Sequence, residues 1–101
     1  MNCEYYLVMK YTDILKQAIE NSHIIPKGQK IVLKAICSRS YPVPAKELED
    51  ALNLSRPSVN FSLQMLFKRN FIIRSKDGVF LYTPNEKRLL ELQERFKESS
   101  Q

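Results

Sequence analysis

The segment between residues 71 and 83 has a different periodicity from the rest of the chain. Residues 71–73 and 79–83 are β-forming, and the dipeptide Asp77-Gly78 between them is a strong signal for a hairpin turn. A two-stranded hairpin is only marginally stable by itself. The hairpin is therefore expected to pack against helices formed by the remaining sequence.

Helical periodicity predicts five helices outside this segment, separated by Pro, Gly and Asn. They cover residues 5–21, 27–39, a short stretch that Pro44 opens in its first turn, 56–69 and 86–98. The expected buried faces comprise Leu7, Val8, Tyr11, Ile14, Leu15, Ala18, Ile19, Ile31, Val32, Leu33, Ala35, Ile36, Cys37, Ala45, Leu48, Ala51, Leu52, Val59, Leu63, Leu66 and Phe67, with one more stripe within residues 89–96. The predicted fold is mainly α with a small β-hairpin.

Several polar residues are suited to the helix ends around the fourth helix. Asn53 and Asn70 tolerate the left-handed conformation that often ends a helix. Ser55 is a good N-cap, and Pro57 fits the first turn after it. These signals predict a short helix, a tight turn and a second helix that begins next to Ser55.

The length of 101 residues suits a single domain over residues 1–101, with one buried core. The two cysteines, Cys3 and Cys37, are not a disulfide framework, and Cys37 is expected to be a buried thiol. The single histidine, His23, has no nearby metal-ligand partners, and we expect no metal and no cofactor. No nucleophile–base pair or phosphate loop occurs, so an enzyme is not expected.

The sequence contains no apolar run near the roughly 20 residues of a membrane span. Its first residues lack the basic and hydrophobic regions of a signal peptide. We therefore expect a cytoplasmic protein that does not enter a membrane, and no small-molecule ligand is evident from the sequence.

The positive charge is concentrated in the middle of the chain, whose formal net charge is +5. Residues 21–46 hold five basic and no acidic residues, and residues 51–76 again hold five basic and no acidic residues. Three acidic residues separate the two stretches, and the segment from residue 85 is balanced. Such a stripe of bases can follow the phosphates of a nucleic acid.

The ordered elements from Pro44 to Thr83 resemble a winged helix-turn-helix, with the helix-turn-helix in residues 44–69 and the wing in residues 71–83. The fourth helix is similar to the recognition helix of MarR-like and ArsR-like transcription regulators, with Ser55, Val59, Leu63 and Leu66 at the pattern positions. Plasmid and phage centromere-binding proteins can also be small winged-helix dimers. The chain departs from the pattern at Asn70, where glycine is frequent, and in its very short wing loop.

The resemblance implies that the helix over residues 56–69 enters the major groove of double-stranded DNA. Its periodicity leaves polar and basic side chains outside the core face. Asn60 and Gln64 can hydrogen-bond base edges, whereas the basic residues would contact phosphates. The predicted DNA-binding residues are Arg56, Ser58, Asn60, Phe61, Gln64, Lys68, Arg69, Arg74 and Lys76. Phe61 is suited equally to a thymine methyl and to packing against another helix or a second subunit.

The helices at residues 5–21 and 86–98 are not required by the winged motif, so we expect them to form a homodimer. Two recognition helices would then read two half-sites about one helical turn apart. The expected function is sequence-specific DNA binding, as a transcription regulator that represses by occupancy or as a plasmid or phage partition protein. The alternative is a winged-helix module that binds another protein within a larger assembly, anchored by Phe61, Met65 and the tyrosines.

Overall fold

The computed structural model describes the backbone of residues 3–99 and the side chains of residues 12–92. In chain order the elements are α1 (Cys3–Asn21), α2 (Lys27–Cys37), β1 (Val43–Pro44), α3 (Ala45–Leu52), α4 (Arg56–Lys68), β2 (Ile72–Asp77), β3 (Val79–Pro84) and α5 (Glu86–Ser99). The prediction of a mainly α fold with a small hairpin is confirmed. The predicted helix ends agree with the structure to within about two residues.

A short strand, β1, extends the hairpin into a three-stranded sheet of order β1-β3-β2. It pairs antiparallel with β3 through Val43 opposite Tyr82 and Pro44 opposite Leu81. The expectation that Pro44 lies in the first turn of α3 is wrong, because its backbone is extended (φ −79, ψ 156) and it precedes the helix as the N-cap. The fixed φ of proline suits both positions, so the residue type alone does not distinguish them.

Two asparagines end helices in the left-handed conformation, as the sequence predicts. Asn53 follows α3 with a φ of 53, and Asn70 follows α4 with a φ of 64. Beyond Asn70 the chain returns over the helix, where the Phe71 amide donates to the Leu66 carbonyl at 3.0 Å. The side-chain amide of Asn85 donates to the Asn70 carbonyl at 2.9 Å, which connects the end of α4 to the start of α5.

The start of α4 and the turn of the hairpin also follow the sequence signals. The Ser55 hydroxyl accepts a hydrogen bond from the Ser58 amide at 3.3 Å, and Pro57 lies in the first turn. Gly78 separates β2 from β3 with a φ of 76, a conformation that glycine adopts without steric cost. The strands pair as far as Asp77 opposite Val79, so the loop of the wing is as short as expected.

One hydrophobic core joins the helices to the sheet. Its fully buried side chains include Ile19, Val32, Leu33, Ile36, Val43, Leu48, Val59, Leu63, Leu66, Phe71 and Leu89. The recognition-type helix α4 contacts α2, α3 and β2, so it is held on three sides by the rest of the domain. This packing fixes which side of α4 remains exposed.

Four side chains expected on buried faces are exposed: Ile14, Ile31, Ala51 and Phe67. In α4 the buried arc is centred between Val59 and Ser62, which places Phe67 at its edge. With about 100° per residue, Ile31 lies far from the buried arc of α2, and Ala51 lies beyond Leu48 on the side away from Leu52. Leu7, Val8, Tyr11 and the end of the α5 stripe lie outside the described side chains.

Among the described residues, no helix is long and apolar enough to cross a membrane.

Candidate nucleic-acid interface

One face of α4 is free of the core and carries the predicted contact residues. Arg56, Ser58, Asn60, Phe61, Gln64 and Lys68 are all exposed. On the opposite side Val59, Leu63 and Leu66 are buried, and Ser62 is buried with them. The helix therefore presents a polar and basic surface about 20 Å long, since 13 residues rise about 1.5 Å each.

The N-terminal end of this surface favours an anion. The first turn of α4 contains no acidic residue, and Arg56 is its first residue. Backbone N–H groups that lack a partner within the helix carry partial positive charge at this end. The Ser55 hydroxyl accepts from one of them, the Ser58 amide. Arg56 and the remaining amides together form a region that can bind a phosphate.

The other end of the surface combines the last residues of α4 with the wing. Lys68 ends the helix, Arg69 follows as its C-cap, and Arg74 and Lys76 project from β2. The guanidinium carbon of Arg69 lies 5.3 Å from the centre of the Phe71 ring. The nine predicted residues therefore fall into three places: the exposed face of α4, its C-terminal end and the wing.

Aromatic rings contact the wing cations, which the sequence does not predict. The guanidinium carbon of Arg74 lies 4.2 Å from the Phe67 ring centre and 4.4 Å from that of Phe80. The Lys76 ammonium lies 5.4 Å from the Phe80 ring centre. These distances are within the range of cation–π attraction. The exposed Phe67, expected in the core, thus packs against Arg74.

Four cations outside α4 and the wing have acidic partners instead. Their ion pairs are Lys34–Glu20 (2.6 Å), Arg39–Glu47 (3.0 Å), Lys46–Asp50 (3.4 Å) and Arg88–Glu91 (3.5 Å). Glu47 also accepts a hydrogen bond from the Tyr41 hydroxyl at 2.7 Å. The hydrogen bonds from Tyr41 and Arg39 lower the pKa of Glu47, and the bond to Glu47 raises the pKa of Tyr41.

Phe61 is the most exposed aromatic side chain of α4, with 59% of its surface accessible. It borders a cavity of about 280 Å³ between the start of α2 and α4, together with Ile31 and Leu54. The ring is therefore close to apolar side chains of its own domain while its outer surface faces solvent. This position is compatible with both interpretations of Phe61, a base contact and a contact with another protein.

Within residues 12–92, the remaining reactive side chains do not form a second site. Cys37 is buried, and burial raises the pKa of its thiol to about 12, which disfavours the reactive thiolate. His23 is exposed in the loop between α1 and α2. In the described part of the chain, no group of three or more His, Cys, Asp or Glu residues could hold a metal ion. Cys3 has no described side chain.

Comparison with solved structures identifies proteins with similar folds. MepR, a transcription regulator of the Staphylococcus aureus multidrug efflux pump MepA, has a TM-score of 0.62 and 18% identity over 99% of this chain and 80% of MepR. A MarR family protein from Bacillus stearothermophilus has a TM-score of 0.57 and 14% identity, over 94% of this chain and 69% of that protein. A protein from the archaeon Sulfolobus tokodaii has a TM-score of 0.59 and 21% identity, over 93% of this chain and 98% of that protein.

Models of protein families and curated protein sequences give no match to this chain. At identities of 22% or less, the structural likeness concerns the fold. The order of elements, the tight turn before α4 and the short hairpin after it agree with that likeness. The chain therefore has a winged helix-turn-helix fold similar to that of MarR-type transcription regulators.

Proposed function

We propose that this protein binds double-stranded DNA in a sequence-specific manner, with α4 in the major groove. The observation that carries the proposal is the exposed face of α4, where polar and basic side chains lie opposite a fully buried apolar face. Acidic residues are missing from residues 51–76, which include the whole helix and most of β2. A surface of this shape and charge is complementary to a DNA groove bounded by phosphates.

The exposed side chains divide into two kinds of contact. Asn60 and Gln64 are four residues apart on α4, so they project from the same side, and each can hydrogen-bond adenine through two atoms. Arg56 at one end and Lys68 with Arg69 at the other are expected to contact phosphates. The Ser58 hydroxyl can donate to a base edge or to a phosphate. The phosphate contacts would fix the position of the helix, and the amides would distinguish base pairs.

We propose further that the protein acts as a homodimer formed by α1 and α5. These helices contact each other within one chain, so part of their apolar surface is already covered. Ile14 and Leu90 nevertheless remain more than a third exposed on the described part of the two helices. Light scattering at micromolar concentration tests the dimer, and a stable monomer would contradict it.

The biological role proposed is transcription regulation, with repression by occupancy of a promoter site. The structural neighbours include a transcription regulator, MepR, and a MarR family protein, which supports this role at the level of the fold. A plasmid or phage partition protein would use the same physical contacts on repeated sites.

The test is binding to random duplex DNA over a series of salt concentrations, followed by selection from a random duplex library. Five cations in each protomer predict a slope of log affinity against log salt of about −4.5 for each bound protomer, or about −9 for the dimer. Enriched half-sites separated by about 10 base pairs are expected for a two-fold dimer. Weak binding that is independent of salt would overturn the proposal.

A second candidate function is docking to another protein, which the exposed apolar side chains favour. Phe61 and Val79 are each 59% exposed, and Ile73 is 52% exposed. Ile73 and Val79 lie on one face of the hairpin, opposite to Arg74 and Phe80. If DNA is the partner, Val79→Ser should leave the affinity for DNA unchanged. If another protein docks here, the same variant should bind that protein more weakly.

A further inference from the structure

The side chain of Arg74 lies between two aromatic rings from different elements. Phe67 is on the last turn of α4, and Phe80 is on β3. In the hairpin register Arg74 is opposite Tyr82 and Lys76 is opposite Phe80, so Phe80 is the diagonal neighbour of Arg74 on the same face. The guanidinium carbon is 4.2 Å from one ring centre and 4.4 Å from the other. Arg74 therefore connects the recognition-type helix to the wing.

The described residues provide no acidic partner for Arg74. Arg39 and Arg88 each have a carboxylate within 3.5 Å, whereas no ion pair or hydrogen bond of the Arg74 side chain occurs in residues 12–92. Aromatic faces attract the planar guanidinium without accepting its N–H groups along the edge. The five donors of this side chain therefore remain available to an acceptor outside the domain.

The geometry points to Phe67 and Phe80 as positioning residues that hold the Arg74 guanidinium ready for a bidentate contact with a DNA phosphate. This inference rests on the DNA-binding function proposed above, and it assigns a role to two residues outside the predicted contact set. A carboxylate in place of the rings would also orient the guanidinium, but it would occupy the donors and repel the phosphate. Two aromatic rings orient the side chain and leave its charge uncompensated.

The arrangement also couples the wing to α4. Phe67 belongs to the helix that enters the groove, and Arg74 and Phe80 belong to the two strands of the wing. Since the guanidinium contacts both rings at once, its position is fixed only when the helix and the hairpin keep their relative orientation. A phosphate bound by Arg74 would therefore help to fix the position of α4 along the DNA backbone.

A double-mutant cycle on affinity for duplex DNA tests the inference. For each bound protomer, Arg74→Gln is expected to weaken binding about tenfold and to reduce the salt slope by about 0.9, the share of one phosphate contact. Phe80→Leu keeps an apolar side chain but removes the ring, and we expect a threefold to tenfold loss with an unchanged salt slope. In the Arg74→Gln background, Phe80→Leu should cause a much smaller loss, because only the longer contact of the ring with Lys76, at 5.4 Å, remains.

Three further variants complete the experiment. Phe80→Trp should bind DNA as tightly as the wild type, in contrast to Phe80→Leu, because the larger ring retains the cation–π contact. Arg74→Lys should keep the salt slope but lose affinity, since an ammonium cannot make the bidentate contact. Val79→Ala on the opposite face of the hairpin is the matched control and should bind as the wild type does. Thermal unfolding of every variant separates these losses from failure to fold.

The outcomes distinguish the inference from the function on which it rests. If the unmodified protein shows no salt-dependent binding to duplex DNA, the proposed function itself fails. If the protein binds DNA but Phe80→Leu weakens it equally with and without Arg74, the two residues act independently and the positioning role is wrong. The same cycle with Phe67→Leu tests the second ring by the same criterion.

Discussion

Cations on two sides of this domain have different partners. Outside α4 and the wing, four basic side chains form ion pairs with acidic ones, as in Lys34–Glu20 and Arg39–Glu47. Within the described residues, the cations of α4 and the wing form no ion pair, and Arg74 contacts aromatic rings instead. The two stretches have equal numbers of basic residues, five in each. Among the described ion pairs, three of the five cations in residues 21–46 are paired and none of the five in residues 51–76 is. A whole stretch of unpaired cations, rather than the net charge of +5, is therefore what marks the candidate interface.

The largest effect is expected from removing three unpaired cations together, in the variant Arg56→Gln/Lys68→Gln/Arg69→Gln. Each lost phosphate contact reduces the salt slope by about 0.9, so the slope should fall by about 2.7 for each bound protomer. At 0.1 M salt this corresponds to a loss of affinity of about two to three orders of magnitude. Fluorescence anisotropy with a labelled duplex, repeated over a salt series, measures both quantities.

The matched control removes the same formal charge from paired positions, as Lys34→Gln/Lys46→Gln/Arg88→Gln. These cations already have carboxylate partners. The salt slope should therefore change by less than about 0.9, the value for one phosphate contact. Equal losses in the two triple variants would mean that overall charge, and not the unpaired set, determines binding. The comparison between the two sides of the domain would then have no functional meaning.

A smaller effect is expected from Gln64→Ala, which removes one candidate base contact and no charge. Loss of a bidentate contact should reduce discrimination at one base pair by about 1–3 kcal/mol, with an unchanged salt slope. Selection from a random duplex library should therefore show relaxed preference at a single position of each half-site. Asn60→Ala should relax a different position, and relaxation of the same position by both variants would contradict the proposed contacts.

Periodicity predicted the helices because an apolar repeat of three and four residues needs only local sequence. The strand β1 was not predicted, since two residues are too few to show alternation and Pro44 also suits a helix start. The second error concerned which side chains of a helix lie on its buried face. Ser62 is buried and Phe67 is exposed because α2, α3 and β2 together determine the buried arc, and this packing cannot be derived from α4 alone.

The exposed contact residues of α4 could be predicted, because a known core face defines the opposite face. The aromatic partners of Arg74 were missed, although part of the signal was present. Counting outward from Gly78 places Phe80 diagonal to Arg74, so that contact follows from the hairpin register. The contact between Arg74 and Phe67 does not follow from the register, because it depends on how the end of α4 packs over β2.

A third prediction separates folding of α4 from its binding. Ser55→Ala removes the hydrogen bond that the Ser58 amide donates, and the loss of an N-cap should lower the free energy of unfolding by about 1 kcal/mol. Urea denaturation measures this change. The salt slope of DNA binding should stay the same, because no cation is removed. A reduced slope would indicate that the start of α4 no longer presents Arg56 to the phosphates.

The smallest effect is expected on the paired side, from Glu47→Gln. Hydrogen bonds from Tyr41 and Arg39 lower the pKa of Glu47 below its ordinary value of 4.5. A carboxyl with a lowered pKa in the folded state stabilises the protein above the pKa of the unfolded state, and this contribution disappears as the pH falls through the lowered value. The variant should therefore be less stable than the wild type near neutral pH, and the two should converge in acid.

Thermal unfolding between about pH 3 and pH 7 measures this convergence, with Asp50→Asn on the same helix as the control. Asp50 pairs with Lys46 at 3.4 Å, and both side chains are at least two thirds exposed, so its replacement should change stability less. DNA affinity at neutral pH should be unaffected by Glu47→Gln if Arg39 lies outside the interface. A clear gain in affinity would mean that unpairing Arg39 creates a phosphate contact, and the candidate interface would then extend to the end of α2.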